Sequence, residues 1–271
     1  MNAETATDDG LLPEGGNSFS EAASRQMERL VGDFGRMYRE RNEALEEVAR
    51  AHHEALFRLS LAADLKDDDT GVHIIRIGFL AEALALALGQ SRQSATMLRK
   101  AAPMHDIGKI GIPDTVLKKP GSFQPDERAL MNQHAAMGAE ILGRSRIPLF
   151  QLAAELALSH HEKWDGSGYP SGLAGEAIPL SGRIVAVVDY FDALTMDRVY
   201  RKAFPYEKAL AMLQEQRGKS FDPRIVDVFL AHADELIALR ERVNQSSPDF
   251  AALIDGLGTS SHPIRSTPCA L

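Results

Sequence analysis

AAPMHDIGKIGIPD, residues 101–114, sets His105 directly against Asp106 at the end of an apolar, helix-patterned run. An imidazole and a carboxylate in such a place need partners, because a buried ionisable group without one is costly. Working outward, His73 lies upstream, and His134, the pair His160-His161 and Asp189 follow. All but one fall inside or beside apolar helical stretches. Imidazole and carboxylate together suit iron, manganese, zinc or nickel, and the lack of thiolate argues against a soft-metal or iron–sulfur site. A shared aspartate flanked by two sets of histidines is what a two-metal hydrolase needs, so metal-assisted hydrolysis is the first expectation.

On one helix an Asp directly after a His points about 100° away from it, so the pair reaches two ions lying beside the helix. His160 and His161 repeat the arrangement at the end of QLAAELALSHH (151–161), where His160 continues the face set by Leu152 and Leu156. Asp189 lies in RIVAVVDYFDAL (183–194), and Asp192, one turn later, is placed to hold a ligand histidine through its second ring nitrogen. His52, His53, His232 and His262 keep the ordinary reading of surface or satisfied core residues.

Composition bounds the rest. The 271 residues are 44% hydrophobic and 25% charged with a net charge of −8, ordinary for a soluble globular protein. That charge disfavours a nucleic-acid polymer as partner, and an anionic ligand needs a local cluster of Lys, Arg or metal. One cysteine, Cys269, excludes an internal disulfide and points to a reducing compartment. The N-terminus lacks a basic segment and apolar run, and the most apolar stretch, Gly78–Gly89, is too short to span a bilayer and carries Glu82. A cytoplasmic protein with no membrane association is expected.

Along the chain, residues 1–20 are polar and expected to be disordered. From Glu21 to about Leu65 one amphipathic stripe runs through Met27, Leu30, Val31, Phe34, Met37, Leu45, Val48, Leu56 and Leu59, broken at Arg41 and His52. It reads as a leader helix over 21–60 that packs on the main domain or pairs with a second copy. The body, 61–243, alternates helical patterns at 72–89, 91–105, 125–143, 147–161, 179–196, 206–217 and 223–242 with Gly/Pro loops. Val185–Val188 is β-branched, but the apolar pattern continues through Phe191 and Leu194, so helix is expected there. The tail 244–271 is Ser/Pro-rich and expected to be loose. The predicted fold class is all-α.

The blocks TGVHIIRIG (70–78), MHDIGKIGIPD (104–114), HAAMGAEIL (134–142), HHEKWDGSGYP (160–170), IPLSGRIVAVVDYFDALTMDRVYR (178–201) and FDP (221–223) carry a resemblance. In order and spacing the chain resembles an HD-GYP domain, the bacterial branch of the HD phosphohydrolase superfamily that degrades cyclic di-GMP, over about 60–240. The resemblance implies an HD-superfamily helical bundle in which His73, His105, Asp106 and Asp189 bind one metal. Asp106 then bridges to a second metal held by His134, His160 and His161. Fe or Mn is the expected pair, with Ni or Zn as substitutes. Asp69 stands where some members carry a third-metal Glu, and its shorter side chain puts that third ion in doubt.

The implied reaction is in-line attack of a metal-bridging hydroxide on cyclic di-GMP, giving linear pGpG and then GMP. Catalytic roles fall to Asp106 and Lys109, with Lys109 beside the scissile phosphate as electrostatic stabiliser or proton donor. Arg198 and Arg201 match positions near the ligand phosphates and guanine, where a guanidinium makes bidentate contacts. Tyr169, in the Gly-rich loop 165–170, is placed to hydrogen-bond or stack at the pocket edge, and the resemblance links this loop to diguanylate cyclase domains. Asp165 and Arg183 are expected to fix loops. The competing readings are a non-catalytic nucleotide-sensing adaptor and a hydrolase of another cyclic dinucleotide.

Overall fold

In the computed structural model the described residues are 16–66, 71–197, 202–246 and 248–256. Asp69, Arg198 and Arg201 therefore lie outside the described residues, as do Asp67, Asp68, most of 1–20 and the chain from 257 on. The first element is one continuous helix, α1 (Gly16–Lys66), which starts inside the stretch expected to be disordered and passes Arg41 and His52 without a break. The chain divides at His53 into two units. In the first, the stripe of Met27, Leu30, Val31, Phe34, Met37, Leu45 and Val48 is exposed. In the second, Leu56 packs on the core and Phe57 is buried, its ring 5.4 Å from that of Phe250.

α2 (Val72–Ala87) is apolar on every side, as a fully enclosed helix must be, and His73 through Ala85 are buried. Its charges have partners: Glu82 accepts from Arg99 Nη1 and Thr96 Oγ1, both at 2.9 Å. Around it pack α3 (Arg92–Ala101), α7 (Leu180–Leu194) and α10 (Ala233–Ser246). α3 begins at Ser91, whose hydroxyl accepts from Ser94 N at 3.1 Å. α4 (Asp114–Leu117) is a single turn, and α5 (Pro125–Gly143) starts at a capping box of Gln124 and Glu127 and lies along α6 (Pro148–Ser159). Val185, Val187 and Val188 are fully buried within α7, a helix despite their β-branching.

Among the described residues every regular element is helical, so the all-α class holds. α8 (Tyr206–Glu215) and α9 (Pro223–Ala231) complete the bundle. The single helix expected over 223–242 is two, because the chain turns at His232 before α10. The expected loose tail is also corrected: α10 continues to Ser246, and α11 (Phe250–Asp255) follows. Asp249 caps α11 by accepting from Ala252 N at 3.0 Å, and Leu253 is fully buried against α2 and α3.

Candidate metal centre

Five segments deliver the histidines and aspartates. His73 is in the first turn of α2, His134 is midway along α5 and Asp189 is on α7. The pair His105-Asp106 was expected on a helix; it occupies a turn between two 3-10 segments, Ala102–Met104 and Ile107–Gly111. Pro103 ends the α-helical ladder of α3 there. His160 and His161 likewise sit on the turn that closes α6 at Ser159. Two glycines make the approach possible. A Cβ on Gly108 would stand 2.0 Å from the carbonyl oxygen of His134, and one on Gly182 would stand 2.2 Å from Ser159 Oγ. A side chain at Gly108 would push α5 away from the Ile107–Gly111 segment, and one at Gly182 would push α7 away from α6.

The seven residues meet as two adjoining groups: His73, His105 and Asp189, and Asp106, His134, His160 and His161. Asp106 divides its oxygens between them. Oδ2 is 3.3 Å from His105 Nε2, whereas Oδ1 is 3.2 Å from His134 Nε2 and 3.4 Å from His160 Nε2. In the other group, Asp189 Oδ1 is 3.4 Å from His73 Nε2 and 4.0 Å from His105 Nε2.

The far side of each ring fixes its tautomer. Nδ1 of His73 donates to Asp192 at 2.7 Å, that of His105 to the Ala102 carbonyl at 2.9 Å, and that of His134 to the Met131 carbonyl at 2.7 Å. Nδ1 of His160 donates to the Leu156 carbonyl at 3.0 Å. With Nδ1 engaged outward, each Nε2 faces inward, and it is the nitrogen that a cation would take once its proton is lost. Nε2 of His105, His134 and His160 and Oδ1 of Asp106 are buried without any hydrogen-bond partner, a state that protein interiors rarely leave uncompensated. Divalent cations fit this donor set: imidazoles and carboxylates, no thiolate, and buried polar atoms without hydrogen-bond partners turned toward one another.

Charge follows the same division. Burial opposes protonation of His73, but its hydrogen bonds to Asp189 and Asp192 outweigh this and hold it well above the usual histidine value. Burial also opposes charge on His105, which Asp106 and Asp189 raise. His160 and His161 go the other way, both lowered by burial and by the neighbouring imidazoles. Burial would raise Asp106, yet Lys109 and His105 keep it well below the carboxylate range.

Around the cluster stands a layer of supports. Asp192, fully buried, accepts from Arg76 Nε and Nη2 at 2.8 Å and from Arg240 Nε at 2.9 Å, besides His73. Arg76 and Arg240 were missed in the sequence, although Arg76 is the lone cation in the apolar run HIIRIGFLA. Lys109 Nζ is 2.8 Å from Asp106 Oδ2. Tyr169 stacks on His161 with ring centroids 4.7 Å apart. Its loop is held by Glu162, also missed, whose buried carboxylate accepts from Ser171 N at 2.7 Å and Leu173 N at 3.0 Å. Lys66, at the end of α1, donates to the carbonyls of Ile112 at 2.6 Å and Ile110 at 3.1 Å and so grips the segment that carries Lys109. Arg183 donates to Asp222 at 2.6 Å and to the Ile178 carbonyl at 2.9 Å, and Asp165 accepts from Ser167 N at 2.9 Å.

Residues 43–225 match the family described as HD domain. This chain belongs to the HD domain family. It is 44% identical over 189 residues to a cyclic di-GMP phosphodiesterase of Thermotoga maritima, covering 70% of this chain and 51% of the relative. It is 46% identical over 187 residues to the cyclic di-GMP phosphodiesterase response regulator RpfG of Xanthomonas campestris, covering 69% and 50%. A 3′3′-cGAMP-specific phosphodiesterase of Vibrio cholerae is 44% identical over 187 residues, covering 69% and 36%. These relatives bear out the HD-GYP reading of the sequence, and the chain spans only about a third to a half of their length. A crystal structure of a cyclic GMP-AMP-specific phosphodiesterase of Vibrio cholerae superposes with a TM-score of 0.54 at 23% identity, covering 74% of this chain and 57% of that one. That likeness is one of fold. No helix among the described residues of this HD domain protein is long and apolar enough to cross a membrane.

Proposed function

We propose that this HD domain hydrolyses a phosphodiester bond of a cyclic dinucleotide, cyclic di-GMP first, to linear pGpG and then GMP. The observation that carries the reading is the split of Asp106, one oxygen toward each group of imidazoles. Two divalent ions in that cage, iron or manganese, would polarise the phosphoryl oxygen and make a bound water acidic. His73, His105, Asp106 and Asp189 would hold one ion, and Asp106, His134, His160 and His161 the other. Asp69 is the candidate ligand for a third.

The protein's own groups then act on the phosphate. Lys109, held beside Asp106, supplies positive charge to the phosphoryl oxygens and a proton to the leaving oxygen. Burial raises the Tyr169 hydroxyl above the usual phenol value, so it stays protonated and donates at the pocket edge. Arg198 and Arg201 are the residues we assign to the phosphates and guanine. We assign the Tyr169 loop to contact with diguanylate cyclase domains, the leader helix to a second copy of the chain, and the protein to the cytoplasm.

A second reading, cleavage of 3′3′-cGAMP, is favoured by the Vibrio cholerae relative of that name at the same 44% identity. One experiment tests both. Protein loaded anaerobically with Fe(II) or Mn(II) is incubated with each cyclic dinucleotide, and the products are separated by HPLC. Release of pGpG supports the first reading, and selective cleavage of the mixed dinucleotide supports the second. No cleavage of either at full metal occupancy would favour a nucleotide-sensing adaptor.

A further inference from the structure

Among the described residues the first unit is a single helix. Isolated helices are marginal in water, because amphipathic helices draw their stability from packing. Gly32 and Gly35 weaken this one further. Yet its apolar side chains are exposed, from 46% at Leu30 to 68% at Phe34.

Counted in sevens from Met27, the first seam position holds Met27, Phe34, Arg41 and Val48, and the fourth holds Leu30, Met37, Ala44 and Ala51. The fifth adds Val31, Tyr38 and Leu45, so the stripe is wide and continuous. Both glycines fall on the outer side. The seventh position is acidic throughout, with Asp33, Glu40 and Glu47.

This charge row selects the occupant. In an antiparallel pair the seventh positions face each other, setting carboxylate against carboxylate along the seam. In a parallel pair each lies beside the fifth position five residues on in the other helix, which sets Asp33 by Tyr38, Glu40 by Leu45 and Glu47 by His52, none of them a carboxylate. Arg41 is the one charge inside the seam, and within the chain it lies over the Tyr38 ring at 4.9 Å. In a parallel, in-register pair it falls next to Glu40 of the other copy, twice by symmetry.

We propose that Met27–Ala51 is the seam of a parallel, in-register homodimer, its register set by reciprocal Arg41–Glu40 pairs. The proposal rests on the leader helix as a homodimer contact and not on the phosphodiesterase reading, so each can fail without the other. The test is light scattering on the full chain, with bound metal measured as the control for a folded catalytic body. The expected mass is twice 29.6 kDa. Glu40→Arg and Arg41→Glu should each weaken the dimer roughly tenfold or more by setting like charges together, and the double exchange should restore it. In a Cys269→Ser background, Leu30→Cys and Ala51→Cys should each cross-link to its own copy under mild oxidation. A monomer, charge variants that associate like the parent, or cross-links only between Leu30→Cys and Ala51→Cys chains would each overturn the proposal.

Discussion

Asp192 Oδ2 stands 2.7 Å from His73 Nδ1 while Arg76 Nη2 approaches the same oxygen at 2.8 Å. One carboxylate thus aims an imidazole of the cluster and pairs with both Arg76 and Arg240 in the protein interior. Asp192→Asn should remove the carboxylate that Arg76 and Arg240 share, although Arg240 keeps Glu241 at 3.3 Å, and cost about 3–5 kcal/mol of stability, read by denaturant unfolding. Its metal affinity should fall roughly 10–100-fold, read by competition with a chelating dye.

Asp106→Ala removes the one residue shared by both groups. It should abolish turnover and empty both sites together, read as metal per chain by ICP-MS. Retained activity would remove the mechanism. His134→Ala, which touches one group, should lower occupancy by less than the Asp106 variant does.

Lys66→Met deletes the donor to the Ile110 and Ile112 carbonyls without touching a ligand. The Ile110 carbonyl is exposed and can turn to water, so the loss falls mainly on the half-buried Ile112 carbonyl and should be at most about 1–3 kcal/mol. Turnover should fall while metal content stays at the parental level, and Lys66→Arg should recover part of the loss. A fall in metal content equal to the fall in rate would contradict a role confined to the Lys109 segment.

The metal-free protein should show a stability optimum in pH. His160 and His161 have lowered values, so the unfolded chain binds protons more readily than the folded one, and stability rises as pH climbs to about 6.5. His73 and His105 have raised values, so their contribution is complete below about 6.5 and fades as pH rises through their folded values. Thermal unfolding across this range should peak near the ordinary histidine value. Loading with metal should remove the alkaline decline.

Gly108→Ala would drive a methyl group onto the His134 carbonyl oxygen, a backbone atom that cannot swing aside. Overpacking of this kind costs about 1–3 kcal/mol or more. Loss of metal at the His134 group, measured in protein that still folds by circular dichroism, is the expected result.

The cluster of seven was legible because His and Asp in apolar helical runs cannot remain unpaired, and seven such residues together suit cations. Their local backbone was less so: Pro103 and Gly108 turn the His105-Asp106 pair off the helix that the apolar pattern alone would continue. Arg76 and Arg240 escaped notice because their partner lies 116 and 48 residues away in the chain. Glu162 looked like a surface charge, although a Gly-rich loop nine residues later has backbone donors that need an acceptor. α11 was hidden by its Ser/Pro surroundings, which mask a short apolar turn behind a capping aspartate. Arg198, Arg201 and Asp69 fall outside the described residues, so their assignment rests on the motif alone.

The outward nitrogens of His105, His134 and His160 are all tethered to the chain's own carbonyls. The orientation of these rings is therefore a product of folding and does not wait for an ion. Stripping the protein with a chelator should leave an empty but correctly shaped receptacle, and activity should return on adding cation back, with no refolding delay. A centre built this way would act as a reversible switch thrown by the supply of metal.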